Sequence, residues 1–340
     1  MIPVFDGHTD ALTRDDAADF ATGRDGGHLD LPRARAGGLA GGIFALFTPT
    51  PGAEHIDFDG EGRMEVELAA PIGREMAAAA TTQAAGRLLA LERDGHLRLV
   101  RTVADLDAAR ADGVLAAVMH HEGAEAIDPG LEALELWHAA GLRSLGPVWS
   151  RTNAFAHGVP FAFPASPDTG PGLTAAGRRL VRCCAQLGIA VDLSHLNEAG
   201  FWDVARLDEA PLIASHSGVH ALCASTRNLT DAQLDAIGAS GGLVGIVFAA
   251  PFLRADGADD ADTPLATIVA HVRYAADRIG VAHVALGSDF DGATIPDELG
   301  DVAGLPRLLD ALAADGFSED ELRAIAWDNW RRVLARAWGG

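Results

Sequence analysis

Short β-branched or apolar runs alternate with helix-length stretches from one end of this chain to the other, and that alternation constrains its fold more than any other feature. The candidate strands are Ile2–Phe5, Gly42–Phe47, Leu97–Val100, Val114–Met119, Ser144–Val148, Ile189–Leu193, Leu212–Ala214, Leu243–Phe248 and Val284–Leu286. Between them the sequence predicts helices at Glu65–Asp94, Glu132–Ala140, Thr174–Leu187, Asp231–Ala239, Pro264–Ile279 and Ser318–Ala337, the last as a closing helix. Strands that alternate with helices pair in parallel, with the helices covering the sheet. Nine candidates lie close to the eight of a closed barrel, so the expected fold is α/β, a TIM-like (β/α)8 barrel in a single domain.

Thr174 and Ser318 stand where an N-cap oxygen accepts from the first free amides of a helix, and Gly188 and Gly280 are expected to take the left-handed position that ends one. The stretch Phe155–Gly172, rich in Pro, Gly and Phe, follows neither the helical nor the strand period. It is expected to be a long loop, and its two readings, an active-site cover or a surface excursion, stand level.

At 340 residues, 49% of them hydrophobic, the chain can bury a full core. Its net charge of -22 argues against a nucleic-acid surface, which draws on clustered Lys and Arg, and leaves small substrates as the expected partners. All 26 basic residues are Arg. Without a lysine there is no Schiff base, no phosphate-loop lysine and no carboxylated-lysine metal bridge. Cys183, Cys184 and Cys223 cannot form a disulfide framework and point to a reducing compartment. With no signal-like N-terminus and no apolar run near the roughly 20 residues of a membrane span, a cytoplasmic chain without a membrane partner is expected.

The polar residues that carry chemistry fall directly after the predicted strands, as Asp6-Gly7-His8-Thr9-Asp10, His120-His121-Glu122-Gly123, Asp192-Leu193-Ser194-His195, Ser215-His216-Ser217 and Ser288-Asp289-Phe290-Asp291. In a barrel the C-terminal strand ends converge on one mouth, so five segments meet there. Histidine and carboxylate are the ligands of a borderline-soft dication such as Zn²⁺, and the set His8, Asp10, Glu122, His195 and His216 suits two metals better than one. His8 and Asp10, two residues apart on a strand, point to the same side. Taken singly, H-x-D is a weak signal and a lone histidine is more often a core residue; the conjunction at five strand ends favours a metal centre.

The segments D-G-H-T-D, H-E-G, D-L-S-H, S-H-S-x(5)-C-A-S-T-R-N and G-S-D-F-D-G, in this order and followed by D-N-W-R-R-V, resemble the membrane (renal) dipeptidase family of zinc peptidases, across nearly the whole chain. The resemblance implies that His8 and Asp10 hold one zinc, His195 and His216 the other, and Glu122 bridges them, in keeping with the missing lysine. It implies Asp289 as the acid-base carboxylate that holds the nucleophile and passes its proton to the leaving amine. Arg227 matches the residue that grips the substrate's C-terminal carboxylate, a task suited to a planar guanidinium; without the resemblance, a surface ion pair is its expected role. His120 and His121 match no metal position and are read as structural, and Asp291 as a hydrogen-bonding residue after a strand.

The resemblance departs at one place. Animal members carry a histidine after the strand around Ser144–Val148, where this chain has Trp149. The lost hydrogen-bond donor to the substrate carbonyl then falls to Arg151, Asn153 or the Trp149 indole N–H. The expected activity is hydrolysis of dipeptides by a hydroxide bridging two zinc ions, with a D-residue tolerated at the C-terminal position and a homodimer as the assembly. The rivals are a related binuclear hydrolase acting on N-acyl amino acids or lactones, and a non-catalytic metal-binding scaffold.

Overall fold

The nine apolar runs all become strands in the computed structural model, which describes residues 2–50, 64–65, 68–207 and 210–339. In chain order the strands are β1 Val4–Thr9, β2 Leu39–Phe47, β3 Met64–Glu65, β4 Leu97–Leu99, β5 Leu115–Glu122, β6 Leu142–Gly146, β7 Ala162–Phe163, β8 Ala190–Val191, β9 Ile213–Ser217, β10 Leu243–Ile246 and β11 Val284–Leu286. Two parallel arcs, β1-β2-β5-β6-β8 and β9-β10-β11, form the sheet. Among the described residues single backbone bridges join them: Asp192 to Ile213 between β8 and β9, and Thr9 to Phe290 between β11 and β1. These two seams close an eight-stranded ring. The ninth run, β4, is not a stave of its own. β2 pairs along the whole of Ala116–Glu122, so β4 and β6 share the other edge of β5 in tandem.

Three strands run further than their apolar residues suggest. β1 extends through His8 to Thr9, β5 through His121 to Glu122, and β9 through His216 to Ser217. The ladder continues because backbone pairing does not require apolar side chains, so periodicity does not reveal where it ends.

Helices Glu132–Ala140 and Asp231–Ala239 have the expected bounds, and Thr174 and Ser318 cap their helices through Gly177 N and Glu321 N. The helix expected at Glu65–Asp94 starts only at Arg74, after Pro71-Ile72-Gly73, with its expected residues 66–67 outside the described set. A residue before proline disfavours helix, which accounts for part of the delay. Gly188 is left-handed, but Gly280 pairs φ 87° with ψ 145°, an extended glycine conformation rather than the left-handed cap. Helices Leu31–Gly37, Val103–Asp112, Glu198–Ala205 and Leu305–Ala314 escape the apolar reading, although Thr102 and Asp105 form a capping box that signals one of them. The Phe155–Gly172 stretch is irregular except for β7, which pairs antiparallel with β3.

Alternation along the strands divides the core. Phe5, Ile43, Ala116, Val118, Ile213, Leu243 and Ala285 pack together with Trp327 and Trp330 of the closing helical segment, filling the barrel from below. Residues one step away, such as Val4, Phe44, Ala117, Met119 and Val244, join the layer between strands and helices. Trp330 is fully buried and its indole N–H donates to Leu286 O at 3.0 Å. The tight fit demands glycine beside it: a Cβ on Gly7 would lie 2.5 Å from Trp330 Cζ2 and 2.3 Å from Ser215 O. Replacing Trp330 with Ala opens a cavity where no neighbour can collapse easily, and is expected to cost about 3–5 kcal/mol in a denaturant unfolding curve.

Candidate metal centre

Period-two geometry on β5 decides which of its polar residues face inward. Ala116 and Val118 fill the interior, so His120 and Glu122 share their side, while His121 turns outward and meets the Trp137 ring at 4.5 Å. Glu122 thus reaches the mouth from the middle of the larger arc. The other groups come from the seams. His8 and Asp10 lie at the end of β1, His216 in β9, His195 four residues beyond Val191 and Asp289 three beyond Leu286. His195 and Asp289 are left-handed, at φ 64° and 63°. Such strain in non-glycine residues costs of order 1–3 kcal/mol and persists where the surroundings impose it.

The five side chains singled out as ligands converge with Asp289. His8 Nε2 lies 3.6 Å from both Asp10 Oδ2 and Glu122 Oε2. Glu122 Oε1 lies 3.0 Å from His195 Nε2 and 3.7 Å from His216 Nε2, and the two imidazole nitrogens are 3.1 Å apart. Three ligand sets emerge: His8, Asp10 and Glu122; Glu122, His195 and His216; and His8, His216 and Asp289. Glu122 belongs to two of them, as a bridging carboxylate does.

These residues fit a metal. Ligands about 2.1 Å from a tetrahedral zinc stand about 3.4 Å apart, which is the spacing seen here. His8 Nδ1 and Nε2 and Asp10 Oδ1 are buried without a hydrogen-bond partner among the described residues, an arrangement that proteins rarely leave uncompensated. Burial disfavours charge on His8, yet Glu122 and Asp10 overcome it and hold its pKa well above the usual imidazole range. The same carboxylates therefore attract any positive charge, whether proton or metal. Burial also raises Asp289 to about 7, against the pull of His8 and with the repulsion of Asp10 and Glu122 added. His195 is driven down to about 3, first by burial and then by Arg227, so it presents a neutral ring.

Arg227 is not on the surface, where a role as an ordinary surface ion pair would have put it. It is buried, has no carboxylate within ion-pair distance among the described residues, and its Nε is unpartnered. Its Nη2 donates to His216 O at 3.0 Å and lies 3.2 Å from His195 Nε2. A buried, unpaired guanidinium at the mouth is a ready receptor for an anion.

Trp149 is half-buried, with its ring 5.7 Å from His195 and 5.6 Å from Phe161, and its indole N–H has no acceptor among the described residues. Arg151 is committed elsewhere: Nε bonds Glu125 Oε1 at 2.8 Å and Nη2 bonds Thr48 O. Asn153 spends its amide on the loop, donating to Pro147 O and accepting from Phe155 N and Ala156 N. Of the three expected donors, Trp149 is thus the freest. Asp291 ties the mouth's rim together, accepting from His28 N at 2.6 Å and pairing with buried Arg24.

Serine hydroxyls are the part of this site that ligand-hunting overlooks. Ser150 Oγ meets His195 Nδ1 at 2.9 Å, and Ser215 Oγ meets His216 Nδ1 at 2.8 Å. For Ser215 the signal was present in the S-H-S segment, but serine is too common a residue to stand out there; Ser150 lies outside every such segment, in the loop after β6.

Comparison with known proteins agrees with this geometry. The model of the family Membrane dipeptidase (Peptidase family M19) matches residues 1–338. A Klebsiella pneumoniae protein, called only an uncharacterized protein in the pqqA 5' region, is 54% identical over 244 residues, 72% of this chain and 90% of that one. A metallo peptidase from Rhodobacter sphaeroides, solved with a phosphinate mimic of L-Ala-D-Ala, superposes with a TM-score of 0.95 at 49% identity, covering 99% of each chain. A solved dipeptidase AC, also a metallo peptidase, gives 0.94 at 49% identity over 100% of this chain and 99% of that one.

The placement of the two neighbouring histidines has a direct consequence. His121→Phe, outside the barrel, is expected to leave divalent-metal uptake at the wild-type level, whereas His8→Ala removes a ligand and lowers uptake by at least one equivalent. Metal analysis after dialysis of both variants reads the difference.

Proposed function

The chain belongs to the membrane dipeptidase family, and on that premise we propose that it hydrolyses the peptide bond of free dipeptides at a centre of two zinc ions held by His8, Asp10, Glu122, His195 and His216. The observation that carries the reading is the buried, unpaired Arg227 beside those residues, because a free α-carboxylate is the anion a dipeptide brings. When bound, the metals supply Lewis acidity, lowering the pKa of water towards about 7 and polarising a carbonyl.

The protein's own residues do the rest. Arg227 orients the substrate through its carboxylate, which sets the scissile bond over the mouth. Asp289, whose carboxylate converges with the ligands, accepts a proton from the attacking water and delivers it to the leaving amine. Glu122 holds both halves of the centre together. Trp149 is the substrate-facing donor in place of the animal enzymes' histidine, while Asn153 acts from behind by shaping the loop. The Phe155–Gly172 loop walls the site, since Phe161 lies 6.3 Å from His195 and stacks on Phe252.

The Rhodobacter relative's L-Ala-D-Ala mimic supports acceptance of a D-residue at the C-terminal position here. A lactone leaves Arg227 without a partner, so the dipeptide reading is preferred to it; N-acyl amino acids keep the carboxylate and are the closer rival. A non-catalytic scaffold has no use for a carboxylate such as Asp289 converging with the five proposed ligands. The family likeness also supports a homodimer, and the free cysteines support a cytoplasmic setting. No helix among the described residues is long and apolar enough to cross a membrane.

Two measurements test the assignment. Arg227→Ala is expected to raise KM for dipeptides with a free carboxylate and to spare their C-terminal amides; equal losses on both would sink the proposed role. Asp289→Asn is expected to lower kcat about 10²- to 10⁴-fold with zinc content unchanged.

A further inference from the structure

Each seam of the barrel, where the regular ladder lapses, is closed by a buried aspartate that accepts from both the amide and the hydroxyl of a serine on the facing strand. At the β1/β11 seam, Asp6 accepts from Ser288 N at 2.6 Å and Ser288 Oγ at 2.5 Å. At the β8/β9 seam, Asp192 accepts from Ser215 N at 2.8 Å and Ser215 Oγ at 2.5 Å. The two clamps then differ in what lies beyond the serine. Ser288 Oγ accepts from the backbone N–H of Phe290 at 3.0 Å, whereas Ser215 Oγ meets the imidazole Nδ1 of His216.

That difference fixes a proton. An ionised carboxylate only accepts, so the Ser215 hydroxyl hydrogen points at Asp192 and the oxygen must accept from His216 Nδ1–H. The neutral ring then carries its lone pair on Nε2, the atom facing Glu122 and His195. Ser150, which meets His195 Nδ1, has no carboxylate behind it among the described residues, so its hydroxyl can turn either way. We propose that Asp192 and Ser215 are positioning residues that lock His216 in the tautomer able to take a metal at Nε2, so that one seam of the barrel also sets the metal affinity of that half of the site. The proposal rests on the metal reading above.

Asp192→Asn is the sharp test because it keeps the shape and reverses the polarity. Oδ1 already accepts from Ser194 N at 3.1 Å, Ser194 Oγ at 2.9 Å and Ser215 N, so those donors hold the amide oxygen there. The amide NH₂ then faces Ser215 Oγ, which accepts from it and turns its own hydrogen to His216 Nδ1 at 2.8 Å in preference to Ser194 Oγ at 3.4 Å. The proton moves to Nε2 and the metal-facing lone pair is lost, the same logic by which an Asp-to-Asn change in a serine-protease triad yields the wrong tautomer.

The experiment strips metal from the full chain, wild type and Asp192→Asn, and reads histidine tautomers in long-range ¹H–¹⁵N spectra. Both are then titrated with Zn²⁺ against a chromophoric chelator. The expected wild-type state has His216 protonated on Nδ1; the variant has it on Nε2 and binds one zinc equivalent about 10- to 100-fold more weakly. Ser288→Ala, which cuts the other clamp, is expected to leave the His216 tautomer as in wild type even where it lowers Tm, which separates positioning from general loosening. If Asp192→Asn fails to fold, Ser215→Ala carries the same test, since removing the hydroxyl is expected to mix the tautomers and weaken the same equivalent. An unchanged tautomer with unchanged zinc affinity in the folded variant overturns the inference. A wild-type chain that takes up no zinc overturns the metal reading instead, while the spectra still decide the tautomer.

Discussion

Asp10, Glu122 and Asp289 stand with three imidazoles in a mouth from which water is largely excluded, and the rest of the architecture answers to that concentration of charge. Burying a carboxylate without a partner costs several kcal/mol, and three of them near one another cost more through mutual repulsion. Two responses are visible in the protein itself: His8 draws a proton far above its ordinary range, and Asp289 holds one to about 7. Two dications, one at His8, Asp10 and Glu122 and one at Glu122, His195 and His216, would answer the same concentration of charge and give the unpartnered His8 and Asp10 atoms something to bind.

The barrel meets this demand by splitting into two arcs. A continuous ladder would hold every strand end in extended geometry, with side chains alternating strictly in and out. At the seams the ladder lapses, and there His195 and Asp289 adopt left-handed backbone that extended pairing forbids. The Asp–Ser clamps replace the missing ladder bonds with shorter ones involving a charged acceptor. Freedom of backbone at the mouth and closure of the ring are therefore obtained at the same positions.

How much of this was legible in the sequence depended on the type of signal. Nine of the eleven strands described showed as apolar runs, the two-residue β3 and β7 being the exceptions, and the six residues of the candidate site showed because His and carboxylate groups cluster at strand ends. The ends of β1, β5 and β9 were not legible, since backbone pairing runs on past the point where the apolar pattern stops. The contrasting roles of His120 and His121 were in principle readable by counting back in twos from Glu122. The Ser150 contact was not, because only the folded barrel brings the loop after β6 against His195, and the Ser215 contact, between sequence neighbours, was masked by how common serine is. Arg227 illustrates the opposite case: taken as a lone arginine it reads as a surface ion pair, and the motif around it was the better guide.

The distribution of stabilising contacts follows from the same division. Below the ligands the interior is apolar, with Phe5, Trp327 and Trp330 filling the ring and Gly7 kept bare to admit them. Above, the packing gives way to unpaired polar atoms, left-handed residues and an unneutralised Arg227. Those features oppose folding and persist because the lower layers are filled. The aromatic plug is thus as much a condition of the site as its ligands are: it lets strain and charge collect at one end of a barrel whose other end has little of either.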